Sequence, residues 1–590
     1  MTLSKIEFDI LAAAAQGCQS LDQVAEKCGY SFNTVKTFLE SDEGKICVAN
    51  SFEITDAGLA KLEPYRVQNA IIMAAGLSSR FAPLSYEKPK GVLEVRGEVL
   101  IERQIRQLKE AGINDITVVV VGYMKEAFFY LEDKFGVNIV VNEEYATRNN
   151  NSTLMLVNEK LGNTYICSSD DYFTENVFEP YVYEAYYPGV FFKGDTDEYL
   201  MQTGVDGRIV GVSVGGKDQY GMLGHVYFDK LFSSRFVQIL KEEYDRPETV
   251  SKLWEDIFRD HLNELKMVMR PYRSGIIYEF DSLDDLRDFD KDFIENVDSK
   301  ILDNICEVLK CGRSDIHGIV PIKKGLTNLS FKFVIHGQTY VYRHPGAGTS
   351  SIINRRSEWF SQTVANELGI DKTFVYQDKQ HGWKISKYIE GCGQLDYHNE
   401  KQVAKALAAV RKLHRSGKMS EWNFDIAAKT DELIGLLEAK TYPLPSDFSE
   451  LRTAVSKLDN FVCADGVAPC LCHNDFYSPN ILIKGDNLDL IDWEYSAMSD
   501  YASDLGTFIC CSDYTYDEAL QVVSLYFEGT QTNEEIRHCI AYVALAAFYW
   551  FVWAMYKESE GDPVGEWLYL WYRSAKKYSE KAIALYKVKN

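Results

Sequence analysis

The sequence predicts a chain of several α/β domains, and three observations carry that reading. Its 590 residues exceed what one hydrophobic core organises, because cores stop growing at roughly 250–300 residues and longer chains divide. From Asn69 an apolar strand, AIIMAAG, runs into a loop, an amphipathic helix and a second strand, ITVVVV, the alternation of a parallel sheet covered by helices. Far downstream, CHNDFYSPNILIKGDNLDLIDWEY, from Cys472 to Tyr495, places polar side chains at the ends of short apolar strands.

Composition narrows the partners. A formal charge of -24 disfavours a general binder of nucleic acid or anionic membrane and leaves small molecules as the expected partners, with local basic pockets for phosphate still open. Thirteen cysteines are scattered without a C-x-x-C pair or a zinc-ligand spacing, and MTLSKIEFDILAAAAQGCQS lacks a signal-like pattern, so a reduced, cytoplasmic protein is expected. The run CIAYVALAAFYWFVWAMY, Cys539 to Tyr556, carries no charge and touches the lower length of a membrane span. It stands alone and is aromatic through its middle, where a span favours aliphatics, so a buried helix is expected.

Residues 1–66 read as a small helical module. A helix over IEFDILAAAAQG is followed by a short one at SLDQVAEKCG, with Ser20 or Asp22 as N-cap, then a third over SFNTVKTFLESD, and VANSFEITDAGLAKL supplies a strand and a last helix. The pattern resembles the winged helix-turn-helix domains of bacterial regulators. Lys36 on the third helix is outnumbered by Glu40, Asp42 and Glu43, the wrong sign for phosphate contacts, so a docking or regulatory module is favoured over DNA binding.

Residues 67–292 read as the sheet domain. Gly76 lets backbone approach a triphosphate closely, amides of the loop from Ala74 and Ala75 through Ser79 can point at phosphate oxygens, and Arg80 and Lys90 add positive charge where pyrophosphate leaves. The string A-A-G-x-x-x-R, a Pro-Lys pair and V-x-G-x-x-L-I resembles the sugar-phosphate nucleotidyltransferase superfamily. Within it the likeness is to bacterial CTP:phosphocholine cytidylyltransferases, from about Asn69 to about Phe289. The resemblance implies a Rossmann-like sheet with CTP over the Gly76 loop, Asn149 and Asn150 near the nucleotide, and Asp170 as a Mg2+ ligand. Asp260 is the expected second ligand, with Asp256 as competitor. Acids are needed because the attacking and leaving groups are both anions, which a metal neutralises and orients. Strand alternation turns one of Asp170 and Asp171 away. Tyr199 stands where the family has a tryptophan beside the headgroup, and Trp254 offers a further wall; aromatic faces attract a quaternary ammonium.

The charged stretch SLDDLRDFDKDFIENVDSK reads as a surface helix and sets the boundary near residues 290 to 300. In residues 293–590, a strand, a turn through Gly325, Thr327 and Asn328, and a second strand ending in VYRHPG form a candidate phosphate flap. Arg343 occupies the place of a lysine that contacts nucleotide phosphates, with Glu358 on the next helix as partner. Asp475 is placed to orient and deprotonate a substrate hydroxyl, and Asn480 and Asp492 to hold Mg2+ against nucleotide phosphates. G-L-T-N-L-S, Y-R-H-P-G, H-N-D-x-x-x-x-N, I-D-W-E-Y and Asp504 in SDLGTF resemble choline/ethanolamine kinases, more distantly aminoglycoside phosphotransferases. The resemblance implies a bilobal kinase-like α+β fold in which His473 and Asp504 brace the loop. Trp550 and Trp553, three apart on one helix face, would line the headgroup pocket, completed by Tyr516 and one of Trp567, Tyr569 or Trp571. Cys511 falls where the family has an acid, with Asp513 as replacement.

The expectation is therefore α/β and multidomain: winged helix, Rossmann-like nucleotidyltransferase sheet, kinase-like fold. Two adjacent steps sharing one headgroup imply choline and ATP giving phosphocholine, then phosphocholine and CTP giving CDP-choline, both with Mg2+. The competitors are a sugar-1-phosphate nucleotidyltransferase fused to a small-molecule kinase, an ethanolamine-specific version, and a winged-helix DNA-binding regulator with metabolite-sensing domains.

Overall fold

The computed structural model describes residues 3–74, 76, 81–121, 124–322, 328–346 and 353–587. By internal contacts the chain forms two units, Met1–Leu302 and Asp303–Asn590.

The first unit opens with helices Lys5–Ala15, Leu21–Cys28 and Phe32–Glu40. Each has a serine N-cap whose hydroxyl accepts an otherwise orphaned backbone N–H; Ser20, from Gln23, fills that place on the second. Where one helix was expected through SFNTVKTFLESD, Ser41 divides it: its hydroxyl donates to Phe38 O (2.6 Å) and accepts from Gly44 N (3.0 Å), closing one helix and capping the next, Asp42–Cys47. The expected strand shrinks to one bridge, Val48 with Ile54, because the chain turns back at once through Ala49 N to Glu53 O (2.8 Å) before helix Asp56–Leu62. The module rests on the rest of its unit through aromatics. Tyr65 stacks on Tyr183 at 5.5 Å, Phe8 tilts against both, and the Tyr183 hydroxyl donates to Leu3 O.

The sheet that follows runs, in spatial order, Val268–Tyr272, Tyr186–Thr203, Val226–Phe228, Thr164–Ser168, Asn69–Ala74, Ile116–Val121 and Asn138–Asn142, with Ile209–Met222 alongside Tyr186–Thr203. Its centre is parallel: Asn69–Ala74 pairs in parallel with Ile116–Val121 and with Thr164–Ser168. Strands buried on both faces read as unbroken apolar runs, as AIIMA does. Asn69–Ala74 and Thr164–Ser168 both end at the edge where the site lies, as parallel α/β sheets place ligands beyond their carboxyl ends.

The second unit has a five-stranded antiparallel sheet among the described residues: His317–Ile322, Asn328–Ile335, Gln338–Pro345, Lys384–Lys387 and Phe374–Gln377 in order. A largely helical part follows, centred on helix Asn533–Ser559, which is buried on nearly all sides. Among the described residues this helix is long and apolar enough to cross a membrane, yet 83 % of its apolar window is buried inside the protein, as a core helix requires. It lies against helix Tyr501–Cys510, where a Cβ on Gly506 would come within 2.4 Å of Tyr542 O; only glycine permits that approach.

Candidate active sites

In the second unit the site is built on one continuous stretch. Strand Cys470–Cys472 delivers His473, Asn474 and Asp475, a turn at Ser478–Asn480 follows, and the hairpin Ile481–Lys484 with Asn487–Leu490 brings the chain back to Asp492 and Glu494. Asn474 and Asp492 hold φ of 64° and 66°, a region costly for residues with a Cβ and found where surrounding structure over-determines it. The surroundings do so here. The Asp504 carboxylate accepts from His473 N (2.8 Å) and Asn474 N (2.6 Å), and the His473 ring bridges Ile491 O (2.9 Å) and Asp475 N (3.3 Å). Asn480 Nδ2 donates to Asp475 Oδ2 at 2.8 Å, which leaves Asp475 Oδ1 and the Asn480 amide oxygen as the groups that can serve a ligand. Burial, with Asp492 nearby, pushes the Asp475 carboxyl well above the usual carboxylate range.

Behind this stretch lies a buried charge network. Arg343 pairs with Glu358, with Glu494 at 2.8 Å and with Asp492 at 3.4 Å. Arg355 reaches Glu358 and Glu494, both at 3.2 Å, and Lys384 reaches Glu358 at 3.3 Å. Burial opposes ionisation of Glu358, but Arg343, Lys384 and Arg355 hold it ionised down to about 2. Carboxylate oxygens of Glu358, Asp492 and Glu494 lie within 4.8 Å of one another. All are oxygen donors, the type that suits a hard cation such as Mg2+. Asn328 donates to Glu494 at 2.7 Å; Gly325 and Thr327, expected beside it, lie outside the described residues.

A cavity of about 490 Å³ opens from Asp475, Asp492 and Arg343 toward an aromatic end made by Tyr477, Tyr495, Trp550, Trp553, Trp567 and Trp571. Trp550 stands near-perpendicular to Tyr495 (5.7 Å) and Trp553 (5.6 Å), and Trp567 lies over Trp571 at 5.4 Å. Tyr516 is absent from this wall; its ring carries Lys581 at 5.1 Å. Cys511 lines the cavity, and Asp513 is exposed and pairs with Arg573. Sequence reasoning missed Tyr477, Tyr495 and Glu494. All three sit within Cys472 to Tyr495, and Glu494 could have been found as the acid two residues beyond Asp492.

In the first unit the site is assembled from separated stretches. Lys90, nearly buried, pairs with the Asp170 carboxylate and lies 4.6 Å over the Phe81 ring. Gly91 packs flush on the residue before Asp170: a Cβ there would fall 2.8 Å from Ser169 Cβ. Asp171 turns inward and is fully buried, while Gln104 Nε2 ties down Ser168 O and Asp171 O, both at 2.8 Å. The short strand Asp171–Phe173 pairs antiparallel with Ile277–Glu279, which sets Glu279 opposite Asp171. Burial, then the charge of Asp170, raises Asp171 well above its ordinary value; burial, then Asp170 and Asp171, does the same to Glu279. Glu279 is therefore the acid that gathers with Asp170, whereas Asp260 is exposed and pairs with Lys252 (2.8 Å) and Arg259 (3.6 Å).

Asn149 and Asn150 tie a second wall in place. Asn149 Nδ2 donates to Ser251 O (3.1 Å), Asn150 Nδ2 to Glu255 (3.2 Å), and Asn150 Oδ1 accepts from Trp254 N (2.7 Å). Burial pushes Glu255 up to about 7. Trp254 lies in the core, stacked on Tyr187 at 5.8 Å, and the Tyr187 phenol feels Glu255, Glu279 and Asp171, which links this wall to the carboxylates. Tyr199 donates to Asp256 at 3.0 Å. Gly76 is exposed and Ala74 buried at the end of its strand; Ala75, Ser79 and Arg80 lie outside the described residues. Nothing local marked Glu279 or Glu255; only the pairing of distant strands and the asparagine contacts bring them in.

Comparison with known proteins follows the same division. Residues 319–547 match the choline/ethanolamine kinase family and residues 70–168 the MobA-like NTP transferase domain. The chain is 36 % identical over 218 residues to the choline-phosphate cytidylyltransferase of Streptococcus pneumoniae, covering 37 % of this chain and 95 % of that protein. It is also 36 % identical over 230 residues to a 2-aminoethylphosphonate cytidylyltransferase of Lancefieldella rimae, 38 % of this chain and 93 % of that one. The chain is also similar to a solved choline kinase, LicA of Streptococcus pneumoniae, at 25 % identity over 48 % of this chain and 98 % of that one, with a TM-score of 0.42. The chain thus belongs, through its nucleotidyltransferase part, to the choline-phosphate cytidylyltransferase family, and it joins to that part a choline kinase-like one.

Proposed function

We infer that the chain is a bifunctional enzyme, a choline kinase and a CTP:phosphocholine cytidylyltransferase, and that its three domains are residues 1–66, 67–292 and 293–590. The observation that carries the reading is the cavity in which Asp475, beside Asp492 and Glu494, faces an aromatic cage. A trimethylammonium group has no N–H to donate and is held by π faces. An ethanolamine ammonium needs hydrogen-bond acceptors, and here Cys511 stands at the wall while Asp513 is outside, on Arg573.

In the kinase step the choline hydroxyl gives its proton to Asp475 Oδ1 as its oxygen bonds to the γ-phosphorus of ATP and the bond to ADP breaks. Asn480 fixes the other carboxylate oxygen, and burial raises the proton affinity of the base. Asp492, with Asn480 and Glu494, would hold Mg2+, which would neutralise charge on the phosphates. Arg343, held by Glu358 and Glu494, lines the cavity beside Asp492 and brings positive charge to the nucleotide end, and His473 and Asp504 hold the loop.

In the transferase step a phosphocholine oxygen attacks the α-phosphorus of CTP and pyrophosphate leaves. Lys90 and Arg80 meet the leaving charge; Ala74, Ala75, Gly76 and Ser79 cradle the triphosphate; Asn149 and Asn150 hold the wall beside the nucleotide. Asp170 with Glu279 supplies the oxygen donors for Mg2+, and Tyr199, with Tyr187 and Trp254 behind it, lies toward the headgroup. The 2-aminoethylphosphonate relative leaves that substrate open for this part alone. The kinase-like part favours phosphocholine, since a kinase makes phosphate esters and not carbon–phosphorus bonds.

The first 66 residues act as a helical docking module, helix-turn-helix-like with its wing reduced to one bridge, in a cytoplasmic protein. The Lys36–Glu40 pair and the acids at Asp42 and Glu43 favour contact with protein over DNA. Purified protein given ATP, CTP, Mg2+ and choline is expected to form CDP-choline, with ethanolamine and 2-aminoethylphosphonate as parallel substrates. No CDP-choline from choline overturns the reading.

A further inference from the structure

Apart from the two sites above, three soft-metal donors converge. Helix Glu400–His414 ends on His414, and strand Cys470–Cys472 carries two thiols that alternation places on one side. One donor atom from each of His414, Cys470 and Cys472 lies within 4.8 Å of the other two. We propose that these residues form a binding site for a thiophilic divalent ion, Zn2+ by its donor set, and that occupancy slows the kinase.

The geometry fits the ion. The two sulfurs are 3.6 Å apart, and a tetrahedral centre with Zn–S bonds of about 2.3 Å sets its sulfurs about 3.8 Å apart. His414 Nε2 meets the Asp504 carboxylate at 2.9 Å, the carboxylate–histidine arrangement that orients a metal-binding imidazole. Asp504 is fixed by two backbone N–H groups, so its hold on Nε2–H leaves Nδ1 as the ligand atom. Nδ1 meets the Tyr526 hydroxyl at 2.8 Å, a neutral group that an ion displaces. Cys470 is half-buried, which gives an entry path, while Cys472 and His414 are buried. Binding ionises both thiols and releases two protons to solvent; the two thiolates balance the ion's charge, and water takes the fourth position. The kinase cation set has only oxygen donors, so softness keeps the two ions apart.

Occupancy reaches the catalytic loop by two routes. Cys472 immediately precedes His473, and its thiol now donates to Asp500 O (3.4 Å) and Ser499 O (3.6 Å), contacts that a metal thiolate gives up. Asp504, the partner of His414, is also the acceptor for His473 N and Asn474 N. A shift of either moves the residues that position Asp475.

The full chain, reduced with a phosphine and titrated with Co2+, is expected to take up one equivalent with sulfur-to-cobalt charge-transfer absorption that Cys470→Ser abolishes. One equivalent of Zn2+ is expected to slow choline phosphorylation roughly tenfold while the same sample still makes CDP-choline from supplied phosphocholine. Cys470→Ser is expected to keep its kinase rate with Zn2+ present, and Cys470→Ala takes its place if the serine variant fails to fold. No thiolate–cobalt band, a band that survives these substitutions, or a full kinase rate with the site loaded overturns the proposal.

Discussion

The two sites handle crowded carboxylates in opposite ways. Around Asp492 and Glu494 the second unit places Arg343, Arg355 and Lys384, and Glu358 is ionised down to about 2. Around Asp170 the first unit sets Asp171 and Glu279 with Lys90 as the facing cation among the described residues, and both acids are driven well above their ordinary range by burial and then by the charge of Asp170. A buried charge is tolerated when it is paired and otherwise shifts its pKa. The kinase-like site is thus a neutralised frame with one reactive acid, Asp475, while the transferase site gathers three acids around Lys90 and holds two of them toward the neutral form.

The sharpest way to break this contrast is to remove the acid at the centre of each. Asp475→Ala is expected to lower choline phosphorylation by roughly 10³-fold or more, the upper range for a positioned base, and to leave CDP-choline synthesis from supplied phosphocholine unchanged. Asp170→Ala is expected to do the reverse. Coupled assays on both variants, with folding checked by thermal melting, decide the matter; a folded variant that has lost both reactions sinks the two-site model.

The same contrast explains what the sequence made legible. Asp475, Asn480 and Asp492 stand on one continuous stretch, so their order alone suggested their chemistry. Lys90 is marked by the Pro-Lys pair and Asp170 by the family resemblance, but Glu279 enters by antiparallel pairing with Asp171, and no local pattern marks a partner more than a hundred residues away. Asp260, expected from the resemblance with Asp256 as competitor, ends the helix Trp254–Asp260 and pairs with Lys252 and Arg259. The aromatic run was read correctly as a buried helix, yet Tyr477 and Tyr495 were passed over because side-chain direction in an irregular loop is not periodic. The wing of the N-terminal module failed for a related reason: a turn that closes within a few residues leaves no strand to alternate.

Smaller changes test the charge frames. Glu358→Gln leaves Arg343, Arg355 and Lys384 with one acid fewer in a buried network and is expected to cost about 3–5 kcal/mol, the range for breaking a buried pair, read as a fall in the melting temperature of the kinase-like unit. Its pH dependence follows from a lowered pKa: the stabilisation is present above the unfolded value near 4.5 and is lost as pH falls toward about 2. Glu255 has the opposite sign. Raised to about 7 by burial, it favours the folded state below its unfolded value, and that advantage is lost as pH rises through 7. Glu255→Gln is therefore expected to stabilise the first unit at pH 8 relative to pH 5 by up to about 3 kcal/mol. A melting-temperature difference that does not change with pH would contradict the buried-acid account.

The smallest effect probes the one feature the kinase-like site has and charge does not supply. Trp567 is half-buried at the start of helix Trp567–Lys587, lies 5.4 Å over Trp571 and meets Tyr477 edge-on at 6.2 Å. Because it is partly exposed, its loss leaves the core around Trp550 and Trp571 intact, so a change in binding is separable from a change in folding. A cation–π contact in a partly desolvated cage is worth about 1–2 kcal/mol, so Trp567→Ala is expected to raise the KM for choline roughly tenfold. The KM for ATP and the kcat are expected to stay close to their original values, since neither the phosphate contacts nor Asp475 touches this ring. Trp567→Phe, which keeps a weaker π face, is expected to fall between. An equal loss for a neutral isostere of choline, with carbon in place of nitrogen, would show that the ring contributes only apolar surface, and the aromatic cage would then cease to explain the choice of a quaternary ammonium.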